Sequence, residues 1–95
     1  MPEMRFHIRW PDGTQESCYS PSLVVKEHFT PGESYKLDDF LARARAALNE
    51  ASARVAKRYG HPCSLALGQL AAIEDGARHF QSMPDARIGV ERFEE

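Results

Sequence analysis

The feature that most constrains this chain is the alternation in residues 4–10, Met-Arg-Phe-His-Ile-Arg-Trp. Successive side chains of a strand point to opposite faces, so Met4, Phe6, Ile8 and Trp10 share one side, with Arg5, His7 and Arg9 on the other. Four large apolar groups in such a row need a second layer to cover them. Pro11-Asp12-Gly13 follows at once. Proline presets φ for a tight turn, and glycine accepts the positive φ at its exit. Residues 14–19 then return as a more polar strand, with Cys18 or Tyr19 turned inward. The opening therefore predicts a β-hairpin.

The covering layer is legible further on. Leu37, Leu41, Ala44, Leu48, Ala51 and Val55 recur at spacings of four and three, which places them on one face of a helix over 37–59. Asp38 and Asp39 suit the positive end of its dipole. Gly60 supplies a left-handed stop, and Pro62 prevents resumption. A second helix is expected from Ser64, as N-cap, to Phe80, with Leu67, Leu70, Ile73, Ala77 and Phe80 as its apolar stripe. The short link makes the two an antiparallel pair. Gly68 and Gly76 are expected where this helix crosses the first.

Two segments are less defined. Ser20 as cap with Pro21 behind it favours a short helix at 21–29, although Val24 and Val25 are β-branched and also suit a strand. Thr30-Pro31-Gly32 is a break. Near 87–91, Ile88 and Val90 alternate with charges, which suits an edge strand, with a frayed tail as the alternative. The expected fold is a single α+β domain over residues 1–95, an N-terminal hairpin packed on two antiparallel helices.

Bulk properties bound the function. The chain has 95 residues and a net charge of −2. That charge gives no electrostatic reason to expect nucleic acid or an anionic membrane. No apolar run nears the ~18 residues that cross a bilayer. The opening lacks the layout of a secretory leader, so the chain is expected in the cytoplasm.

Candidate chemistry is sparse. His61 and Cys63 sit two apart in a loop, without the paired spacing of a zinc site. Cys18, close to the proposed short helix, is the one thiol whose position suits a lowered pKa and nucleophilic chemistry; the other reading is a core cysteine. Arg43, Arg54, Lys57 and Arg58, interrupted by Glu50, read as a solvated helix face. There is no phosphate loop, nucleophile elbow or dinucleotide fingerprint. No catalytic residue, metal or cofactor is assigned. The candidate binding surface gathers Trp10, Cys18, Tyr19, Arg5 and Arg9, on or beside the exposed side of the hairpin, where a strand edge can pair with another chain.

Four short segments, Trp10-Pro11-Asp12-Gly13, Cys18-Tyr19-Ser20-Pro21-Ser22, Pro31-Gly32-Glu33-Ser34-Tyr35 and Arg58-Tyr59-Gly60, resemble a family of small bacterial proteins named for a nitrogen-starvation response. The likeness covers about the first 60 residues. It implies membership in a gene cluster built around a nitrilase, with a radical SAM protein, an acetyltransferase, a flavoprotein and an AIR-synthase-like protein. It further implies cytoplasmic location and an accessory role in nitrogen metabolism, and it carries no catalytic residues across. The function expected is a non-enzymatic interaction or regulatory domain, either a homo-oligomer or the partner of a protein from that cluster. The rival is a small-molecule-binding or thiol-dependent enzyme centred on Cys18.

Overall fold

A computed structural model describes residues 2–95. The elements run β1 (Met4–Arg9), β2 (Gln15–Ser20), a 3-10 turn (Leu23–Glu27), β3 (Ser34–Lys36), α1 (Leu37–Tyr59), α2 (Ser64–Arg78) and β4 (Arg87–Glu94). The strands form one antiparallel sheet of four in the order β2-β1-β4-β3, and the helices cover one of its faces.

The hairpin forms as its residues require. Gly13 takes φ +90° and donates to the Trp10 carbonyl at 2.9 Å, while Trp10 N–H reaches the Thr14 carbonyl at 2.8 Å. Asp12 braces the turn by accepting from the Thr14 amide and hydroxyl. The register then pairs Phe6 with Cys18 and Arg5 with Tyr19. Met4, Phe6, Ile8 and Trp10 are all buried, joined by Cys18 from β2 and Ile88 and Val90 from β4.

The buried face of α1 carries Phe40, Leu41, Ala44, Ala47, Leu48, Ala51 and Ser52. Gly60 ends it at φ +86°, its N–H on the Ala56 carbonyl. The buried stripe of α2 is Ala66, Leu70, Ile73 and Ala77. Leu67, expected on that stripe, is instead 41% exposed, because Ala66 turns inward in its place. The N-cap is Cys63 rather than Ser64, and the Cys63 amide is held by Ser52 Oγ of α1 at 3.1 Å.

Three further expectations change. The expected short helix within 21–29 is present, but as a 3-10 helix of five residues, Leu23–Glu27, capped by Ser22 rather than Ser20. Ser20 still pairs with Met4 in the sheet, and its hydroxyl donates to the Ser22 carbonyl. The β-branched pair Val24-Val25 and the break that follows leave room only for the short form. Second, β4 is no edge strand. It lies between β1 and β3 and runs on to Glu94, with the register slipping opposite His7/Ile8. That bulge breaks the alternation after Val90, which is why the pattern reads as ending near residue 91. Third, Gly76 lies against Trp10 rather than α1, and Gly68 faces open space.

Candidate functional site

The open face of the sheet is polar. Arg9 Nε donates to Glu91 at 2.9 Å, and Gln15 Nε2 reaches the other oxygen of the same carboxylate. His7 Nε2 lies 2.9 Å from Glu94 Oε1. Hydrogen bonding by these partners holds both carboxyls below their ordinary range. Arg9, from the expected binding surface, is thus already occupied.

Trp10 and Cys18 are placed in the core. Trp10 is 5% exposed, stacks on Phe80 at 5.7 Å, meets Phe40 edge-on at 6.3 Å, and donates through Nε1 to Glu16 at 2.8 Å. Cys18 is fully buried and unpaired. Burial, reinforced by the Glu16 charge, pushes its thiol well above the ordinary range, so it stays neutral. A thiol in that state is a poor nucleophile.

Arg5 and Tyr19 do come together, in a place that no sequence pattern defines. They sit at one end of a groove of about 670 Å³ between the hairpin and α2. Its helical wall is Leu65, Gly68, Gln69 and Ala72, whose spacing lines one side of α2. Glu3, Glu94 and Glu95 rim it. The Arg5 guanidinium lies 6.0 Å from the Tyr19 ring and 3.4 Å from Ser17 Oγ. Burial, with the neighbouring Glu3 carboxylate, raises the Tyr19 pKa.

The groove borders the outer edge of β2. Tyr19 N–H points away from β1 and is taken by Gln69 Oε1 at 2.9 Å. The alternation of antiparallel pairing sends the N–H and C=O of Gln15 and Ser17 the same way, and these meet no protein partner among the described residues. At the Tyr19 end of this edge Leu65 stands 66% exposed. Along the same wall, Gly68 has no side chain and Ala72 only a methyl group, so the helix backbone there is open to close approach. The residues that sequence reasoning misses, Gln69, Leu65 and Ala72, carry no chemical motif; the single sequence signal is Leu65, superfluous to the apolar stripe of α2.

His61 and Cys63 lie in the link between the helices, His61 exposed and Cys63 half-buried. Among the described residues no group of three or more His, Cys, Asp or Glu is arranged to hold a metal ion. No helix among them is long and apolar enough to cross a membrane.

A family profile described as nitrogen starvation-induced protein NitG matches residues 5–93. The chain belongs to the NitG family. The match runs through both helices and β4, so it extends well past the N-terminal segments that carry the resemblance in the sequence. It takes in every wall of the groove except Glu3, Met4 and the last residues of the chain. No curated protein and no solved structure matches the chain.

Proposed function

We propose that this chain is a small, non-enzymatic accessory or regulatory domain of the nitrogen-starvation response that works by binding protein. The family description supports the setting. The resemblance adds a cytoplasmic location and partners among the enzymes of a nitrilase-centred gene cluster.

The observation that carries the reading is the juxtaposition along β2 of bare backbone groups and exposed apolar helix surface. Strand edges recruit extended chain through main-chain hydrogen bonds, and adjacent side-chain surface adds selectivity. The large apolar side chains support it from the other direction. They are consumed in packing sheet against helices, and the groove is open rather than a closed chamber. The buried, neutral Cys18 counts against the thiol-dependent alternative.

The test is co-purification. Tagged chain from nitrogen-starved cells is expected to retain an enzyme of the cluster, and Leu65→Glu with Tyr19→Ala to release it. Thiol-dependent turnover by the isolated chain, or retention of the same enzyme by the double variant, would remove this reading.

A further inference from the structure

We infer that the free edge of β2 pairs with β2 of a second copy of this chain, extending two sheets into one across a two-fold axis at Ser17. The inference rests on the protein-binding reading above: a second copy takes this edge, and the paired form is the one that holds the enzyme, so substitutions that break the pair also release it.

The two edges of the sheet are treated differently. β3 is three residues long, and Arg87 covers its Ser34, donating to both the hydroxyl and the carbonyl at 3.0 Å. Short length and a charged side chain are the usual protections of an edge. β2 spans six residues and contains no lysine, arginine or proline, and its register with β1 has no bulge. Its outward groups belong to Gln15, Ser17 and Tyr19, and only the Tyr19 N–H is taken.

Self-pairing fits this edge in register and in charge. Antiparallel strands centred on Ser17 set Ser17 opposite Ser17 of the second copy, and Gln15 opposite its Tyr19. The N–H and C=O of both Ser17 residues would then be satisfied reciprocally, as a two-fold interface requires. The sole charge on β2, Glu16, falls opposite Cys18 of the second copy, so no like charges face each other. Gln69 would swing aside, and the Gln15 carbonyl of the second copy would replace it on the Tyr19 amide, one acceptor for another.

The helix beside the edge supports the same occupant. The groove at the Tyr19 end is walled by Leu65, Gly68 and Ala72, and a second concavity at the Gln15 end by Gly76 and His79. Ala72 therefore lies near the level of Ser17. A two-fold axis there brings α2 against its own copy through a small residue, with exposed Leu65 on each side covered by the partner. One symmetry operation thus covers bare strand and exposed leucine together.

Sedimentation equilibrium on the full chain, from micromolar to near-millimolar, tests this, with hydrogen exchange at the Gln15 and Ser17 amides. The wild type should dimerise, and protection of those two amides should rise with concentration. On the backbone Ser17→Pro removes only an outward donor, which an edge strand tolerates, and on the side chain only the long, exposed contact from Arg5. It should weaken the dimer about tenfold or more, the scale expected for losing two backbone hydrogen bonds. Leu65→Lys, at a site too exposed to affect folding, should weaken it as well. Should Ser17→Pro fail to fold by circular dichroism, Leu65→Lys and the exchange pattern decide. A wild type monomeric throughout overturns the inference, as does a dimer whose edge amides exchange freely or that survives both substitutions. A monomer that still captures an enzyme from starved cells removes self-pairing alone. A dimer that captures none removes the accessory-domain reading instead.

Discussion

A methyl group built on Gly76 would stand 2.9 Å from Cζ2 and 3.1 Å from Cη2 of Trp10. The indole is held in place, since Phe40 and Phe80 pack on it and Glu16 accepts from its nitrogen. Glycine at this position lets α2 approach the end of β1. A methyl group at Gly68, on the same helix, would meet nothing within 4 Å.

Alanine at these two glycines should therefore act in opposite directions. Gly68→Ala gains helix propensity without cost and should stabilise the chain by about 0.5–1 kcal/mol. Gly76→Ala gains the same propensity but overpacks a rigid aromatic cluster, for a net loss of about 1–3 kcal/mol. Urea denaturation of both variants in dilute solution checks this. Equal midpoints would show that α2 does not sit against Trp10.

Thiol labelling should separate the two cysteines. Cys63 is half-buried in the interhelix link, and Cys18 is enclosed beneath β2 with its thiolate disfavoured by burial. At neutral pH a maleimide should modify Cys63 while Cys18 reacts only as fast as the chain unfolds. Rapid modification of Cys18 in the folded state, read by peptide mass, would contradict its placement and revive thiol chemistry.

The ion pairs of the open face give an acid limit. The carboxyls of Glu91 and Glu94 are depressed below the ordinary 4.5 by hydrogen bonds from Arg9 and His7. A carboxylate whose folded pKa is lowered contributes stability above its unfolded value and loses it as pH falls through the folded one. Denaturant midpoints should fall as pH drops below 4.5, and Glu94→Gln should remove part of that dependence. Both side chains are solvated, so the effect is small. A midpoint that rises on acidification would have the wrong sign for these pairs.

The elements visible in the sequence are those whose local pattern and tertiary role agree. The alternation of Met4–Trp10 and the turn at Pro11-Asp12-Gly13 both demand a hairpin, and the stripe with its glycine stop defines α1 to the residue. What the pattern hides depends on distant partners. Tyr35 is buried because Phe29 and Ile88 meet it, and three residues carry no period of their own. Leu67 and Ala66 exchange places because packing against α1 rotates the stripe of α2. The binding surface is half legible. Arg5 and Tyr19 line the groove, whereas Trp10 and Cys18 are drawn into the core by the same alternation that identifies the strand. The groove also needs Gln69 to reach Tyr19 across 50 residues, which no local pattern encodes.

The final strand provides a sharp test of the architecture, because a frayed tail and a central strand respond differently to truncation. Val90 is 1% exposed and lies opposite Ile8, while Phe93 lies opposite Phe6 and packs on the core. The Val90 carbonyl and amide also tie down Gly32 and Glu33 at the approach to β3. A chain ending at Gly89 loses these contacts and leaves one side of β1 without much of its ladder. Removing a buried valine side chain alone costs on the order of 2 kcal/mol, and unsatisfied strand groups add to that. Such a chain should lack a cooperative thermal transition, whereas one ending at Glu94 should melt like the full-length protein. Cooperative melting of the shorter chain at an unchanged midpoint would mean that residues 90–95 do not complete the sheet.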